Sequence, residues 1–189
     1  TSRFTQEAKD YVAGSNYKVV LIDGERLADL MITEFWDAES GGFFFTSNDH
    51  EQLVVRNKDL YDNATPSGNS VAADVLLKLA KLTGDDKYER FAVTVLRLTA
   101  SQIRRHPQGF GRALSALEFH LDQTLEIVIV GEKGNELERI ALEGYHPDSV
   151  VVLGRGGDDQ GLPLLADRTA IDGEPTAYIC RDNVCQRPV

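Results

Sequence analysis

Apolar positions in the first third of the chain recur with more than one spacing. Leu27, Leu30, Met31 and Phe35 fall at i, i+3, i+4 and i+8, which lays an apolar face along a helix. Ahead of them, Thr5 stands where an N-cap would open a short helix through Tyr11, and Gly14 with Asn16 would close it. The run Lys18 to Ile22 is rich in β-branched residues and ends on Asp23-Gly24, which predicts a strand and a turn. Phe43-Phe44-Phe45 follow two glycines, and a Ser47-Asn48-Asp49 turn leads to Leu53-Val54-Val55, so a β-hairpin is expected.

Helical spacing dominates next. Val71, Val75, Leu79 and Leu82 share one side of a helix predicted over Ser70 to Leu82, with Gly84 just past its end. Asp85-Asp86 open a second helix, where the dipole favours acids; it carries Tyr88, Phe91, Ala92, Val95, Leu96 and Ile103 and stops before Pro107. Joined by the short Thr83–Asp86 turn, the two make an αα-hairpin. A third helix is predicted from Gly111 to Leu121, with Ala113, Leu114 and Leu117 inward.

The texture then changes. Leu125 to Val130 reads as a strand, Asn135 to Gly144 as a helix with Leu137, Ile140 and Ala141 inward, and Val150 to Leu153 as a second strand. Two strands joined by a helix predict a βαβ unit and a parallel pair. A turn with Gly154, Gly156, Gly157 and Gly161 precedes a last strand or hairpin that includes Thr176 to Cys180. The fold class expected is mixed α/β. Residues 1–35 form a helix-strand-helix segment, 36–122 a β-hairpin plus an αα-hairpin, and 123–189 a small α/β subdomain.

Charge narrows the function classes. A formal net charge of −10 repels a polyphosphate backbone, so no nucleic-acid partner is expected. Arg104, Arg105 and His106 cluster at a predicted helix end, where cations meet the negative pole of the dipole. No apolar run approaches the ~20 residues that span a bilayer. The opening TSRFTQEAKDYVAG lacks a basic-then-apolar leader pattern, and a cytoplasmic setting is the default expectation. Cys180 and Cys185 are expected as reduced thiols; a bridge within a terminal hairpin ranks next, and zinc last, since none of His50, His106, His120 or His146 lies nearby in sequence. Neither a metal nor a cofactor is expected. Val130 to Glu136 is a strand-Gly-helix turn without a full GxGxxG, so Gly131 and Gly134 read as turn formers. Gly154 to Asp159 lacks the EF-hand spacing and reads as a solvated loop.

The words GGFFFT, DNATPSGNSVAA and AYICRDNVCQ carry a family likeness. From about Leu27 to Val189 the chain resembles the C-terminal third of the large thioredoxin-domain-containing family that includes the spermatogenesis-associated proteins and their bacterial relatives. The resemblance implies a parent with an N-terminal thioredoxin-like domain and a six-hairpin (α/α) toroid similar to N-acylglucosamine 2-epimerases, of which residues 36–122 would be a part. Sugar-related chemistry follows from that fold analogy alone. The first 33 residues instead resemble the closing segment of Mrr-type restriction endonucleases. They lack the catalytic carboxylates and the QxK element of that family, so no DNA cleavage is expected.

In the toroid family, the loop leading into an inner helix faces the central funnel. Here that loop, Tyr61 to Ser70, carries Asp62, Asn63, Ser67 and Asn69, and free N–H groups beside small polar side chains suit a hydroxylated or anionic ligand. The plainer reading is that Ser67 or Asn69 caps the helix. His106, in a second loop ahead of a helix, has the pKa range of an acid/base, although a histidine beside two arginines is more often a surface residue. Two functions are therefore expected: an incomplete, non-catalytic fragment whose parent handles a carbohydrate-like small molecule, or an interaction module. Uncovered helical faces predict a homodimer through Val75, Leu79, Phe91 and Val95.

Overall fold

The computed structural model describes residues 4–15, 17, 19–51, 55–155, 161–181 and 184–189. The fold is mixed α/β, as expected, and divides into two compact units, Thr1–Asp59 and Leu60–Val189.

In the first unit, α1 (Gln6–Ala13) begins where Thr5 accepts a hydrogen bond from the Ala8 N–H and ends at Gly14. Helix α2 (Gly24–Phe35) is capped by Asp23, whose Oδ1 accepts from the Arg26 N–H at 2.8 Å. The strand predicted over Lys18 to Ile22 is a correction: Lys18 lies outside the described residues, and Val19 to Ile22 are irregular, with Val20 69% exposed. β-Branching favours extended backbone, but a strand also needs a neighbour to take its N–H and C=O groups. The expected hairpin reduces to an isolated antiparallel bridge between Phe43 and Trp36, with the Phe45 N–H donating to the Asn57 carbonyl at 2.9 Å. Leu53 and Val54 lie outside the described residues. The rings of Trp36 and Phe43 meet edge-on, centroids 5.0 Å apart.

Much of what holds this unit is polar. Lys58 Nζ sits 2.6 Å from Asp37 Oδ2, 2.6 Å from Ser40 Oγ and 2.8 Å from the Gly41 carbonyl. That ammonium foremost, with the Ser40 hydroxyl and the Glu39 N–H, holds the Asp37 carboxyl far below the usual carboxylate range. The Arg56 guanidinium lies 4.1 Å from the centre of the Phe44 ring and donates to Asn48 Oδ1 at 2.8 Å.

In the second unit, α3 (Gly68–Thr83) and α4 (Asp86–Arg105) form the expected αα-hairpin, and α5 (Gly111–Leu121) packs against α3. Gly84 ends α3 at φ +69°, a left-handed conformation that favours glycine. The buried face of α3 differs from the predicted one. Val71 and Val75 point outward, while Ala72, Ala73, Leu76, Leu77 and Leu79 are buried. Helix α3 is covered on two sides, and the small Ala72 and Ala73 let its neighbours approach. Of the four residues expected at a pairing face, Leu79 and Val95 are buried within the chain, Val75 is exposed and Phe91 is half-buried.

Strands β1 (Leu125–Val130) and β2 (Ser149–Gly154) are parallel and joined through α6 (Glu136–Glu143), as the βαβ reading predicts. Ala141 is buried there and Leu137 packs beside it, whereas Ile140 is exposed. Strand β3 (Thr176–Arg181) runs antiparallel to β1 on its other side, and the short β4 (Val184–Cys185) completes the order β2-β1-β3-β4. This hairpin corrects the expectation of reduced thiols: Cys180 and Cys185 are direct antiparallel partners and form a disulfide. Of the glycine-rich turn, residues 156–160 lie outside the described residues.

Candidate functional site

The two loops singled out from sequence do meet. The Asp62 N–H donates to the Gly109 carbonyl at 2.9 Å, and the rings of Tyr61 and Phe110 pack with centroids 4.6 Å apart and planes tilted by 43°. Asp62 is the centre of the junction. Its Oδ1 accepts from the Ser67 N–H at 2.8 Å, and its Oδ2 from the N–H groups of Arg112 and Ala113 at 2.8 and 3.1 Å. One carboxylate thus satisfies the open first turn of α5 and fixes the residue that caps α3. Ser67 is that cap: its Oγ accepts from the Ser70 N–H at 3.0 Å and donates to Ser70 Oγ.

The other candidates divide by exposure. Asn69 is buried at 2%, whereas Asn63 and His106 are exposed. The backbone of Asn63 donates to the Thr65 carbonyl at 3.1 Å, and that of His106 closes α4 by donating to Gln102 at 2.8 Å. Close by, the buried Asp74 carboxylate pairs with the Arg112 guanidinium and with Lys78 Nζ at 3.2 Å. Those three residues escaped the sequence reading, because Asp74 and Arg112 stand 38 positions apart and neither belongs to a motif.

A second polar region lies at the other end of α3, about 24 Å away at 1.5 Å per residue over its 16 residues. There a cavity of about 560 Å³ opens between the end of α3, the start of α4, the end of α5 and the start of β1. Leu77, Phe119 and Leu164 give it apolar walls, and Lys81, Asp86, Glu89, His120, Gln123 and Glu126 give it polar ones. Glu89 Oε1 lies 3.3 Å from His120 Nδ1. Glu126 is buried on β1 at 2% exposure, and Thr124, buried beside it in sequence, donates to the Phe119 carbonyl at 3.2 Å. The sequence held one signal for this region: an acid, Glu126, inside the otherwise apolar run Leu125 to Val130.

Among the described residues, no group of three or more His, Cys, Asp or Glu side chains is placed to hold a metal ion, and no helix is long and apolar enough to cross a membrane.

No protein-family model matches the chain. Comparison with curated proteins is informative. Human spermatogenesis-associated protein 20 is 30% identical over 173 residues, which are 87% of this chain, and the rat protein of that name matches equally. An uncharacterised protein of Caenorhabditis elegans is 23% identical over 184 residues. The chain spans only 22% of the length of the human and rat proteins. The chain is thus similar to about a fifth of spermatogenesis-associated protein 20.

Proposed function

We propose that this chain is a non-catalytic piece of a longer protein related to spermatogenesis-associated protein 20, and that it contributes a binding site for a small carbohydrate-like ligand. The observation that carries this reading is the lining of the 560 Å³ cavity. Its volume suits a small molecule, and its mainly polar and charged lining favours a hydroxylated ligand over an apolar one. The edge of the buried Phe119 ring closes the site from beneath, while Asp86, Glu89 and Gln123 accept from hydroxyls and Lys81 donates to them. Asp62 and Ser67 support the site from afar, since they fix the starts of α5 and α3, whose ends form its walls.

Titration calorimetry against a panel of neutral and amino sugars tests this reading. Saturable binding that Gln123→Ala weakens at least tenfold, and that Asn63→Ala leaves unchanged, is expected. If no sugar of the panel binds at millimolar concentration, the ligand class is wrong. Binding that needs Asn63 and His106 instead would move the site to the opposite end of α3.

A further inference from the structure

The disulfide at the edge of the sheet has a cation built against it. Arg168 Nη2 lies 3.2 Å from Cys185 Sγ and 3.5 Å from Cys180 Sγ. The guanidinium is held in place, because Nη1 donates to the Leu164 carbonyl within the 3-10 turn Pro163–Leu165. The following loop is tied to the sheet in turn: the Tyr178 hydroxyl donates to the Thr169 carbonyl at 2.7 Å and accepts from its N–H at 3.3 Å. A disulfide is uncharged and gains little from a fixed cation. Its reduced form gains a good deal, because an adjacent arginine favours thiolate over thiol.

Access is one-sided. Cys180 is buried at 1% exposure on β3, between β1 and β4, whereas Cys185 is exposed on the two-residue edge strand. An incoming thiolate therefore reaches Cys185 Sγ first. The backbone does not depend on the bond for its pairing. Gln186 donates to the Ile179 carbonyl at 2.9 Å, and Ala177 and Val189 exchange hydrogen bonds at 2.7 and 3.1 Å, so the tail stays paired with β3 on the side of the sulfurs away from the turn.

We propose that Cys180 and Cys185 form a redox-exchange site, in which the bond is opened and closed by a dithiol partner and Arg168 sets its potential. A thiolate of the dithiol attacks Cys185 Sγ, forming a mixed disulfide, and the Cys180–Cys185 bond breaks with its electron pair leaving on Cys180 Sγ beside Arg168. The second thiol of the partner, losing its proton to solvent, then attacks the mixed disulfide. That step closes the partner's own disulfide and releases Cys185 as a thiolate, also beside Arg168. The chain gains two electrons and the dithiol loses two; protons taken up by either cysteine come from solvent.

The test equilibrates the folded chain at pH 7 in dithiothreitol buffers of graded potential and counts alkylated cysteines by intact mass. Two labels per chain are expected to appear together in the native protein. Arg168→Met should move the midpoint to a more negative potential by about 30 mV, a tenfold change for a two-electron couple, and Arg168→Lys should recover part of it. In Cys180→Ser, oxidised glutathione should add once, at Cys185. Labels that appear only after denaturation would show a purely structural bond, and an unmoved midpoint in Arg168→Met would remove the arginine's role. Absence of the glutathione adduct would overturn Cys185 as the point of attack.

Discussion

The two units reach stability by different routes. Among the described residues, the buried apolar side chains of Thr1–Asp59 are Ala28 and Phe43, and the contacts that tie its loops are ionic and cation-π. Leu60–Val189 instead buries a long set that includes Tyr88, Val95, Phe110 and Val128, each at 1% exposure or less. A packed apolar core is costly to truncate and indifferent to pH, whereas a strap of charges is cheaper to remove and titrates. The contrast shows that secondary structure alone says little about how firmly a region is held.

Four changes probe that contrast. The largest effect belongs to the core: Phe110→Ala should lower the stability of the second unit by about 3–5 kcal/mol, read from loss of helical circular dichroism in denaturant. Next comes Asp62→Ala, which strips the acceptor from three backbone N–H groups and should cost about 2 kcal/mol, with Asp62→Asn recovering part of it. A Cβ at Gly109 would lie 2.9 Å from the Tyr61 ring, so Gly109→Ala should cost about 1–2 kcal/mol and be relieved in combination with Tyr61→Ala.

The smallest effect is the most diagnostic of the polar unit. Because Asp37 has a lowered pKa in the folded chain, its contribution is complete above the ordinary aspartate value of about 3.9 and is lost as pH falls below it towards the folded value. Fluorescence of Trp36, the single tryptophan, should therefore hold steady from pH 7 to about 5 and change on further acidification. Asp37→Asn should remove that acid-dependent step. An identical acid profile in the variant would place the titration elsewhere.

Periodicity carried the reading of α4, and of the parallel pair of β1 and β2, because in each most buried residues are large ones at regular spacing; on α5 it found the helix, but Ala113, Ala116 and Phe119 are buried while the expected Leu114 and Leu117 are half-buried. It failed where burial is decided by partners rather than by local pattern. Val19 and Val20 favour extended backbone yet pair with no strand among the described residues. On α3, the large Val71 and Val75 face outward because the close approach of two neighbours selects Ala72 and Ala73. The junction of loops was legible in part. The five-residue step from Asp62 to Ser67 lies within one loop, but the bonds to Arg112 and Ala113 cross 50 and 51 residues. The cavity residues come from α3, α4, α5, β1 and the Pro163–Leu165 turn and have no common motif. The disulfide was visible only as a spacing that several chemistries share.

The span of the Asp62 bonds also sets an order of events in time. Helices α3 and α4 meet across a turn of two residues, so their contacts are local and form early. The clamp on α5 must close a loop of some fifty residues and gains nothing until α4 has already brought the chain back. Asp62 is thus a late fastener. Weakening it should leave the refolding rate of the hairpin almost unchanged and quicken unfolding, because interactions absent from the transition state act on the unfolding limb. A residue that loosely resembled a ligand contact would then govern how long the second unit stays closed once it has formed.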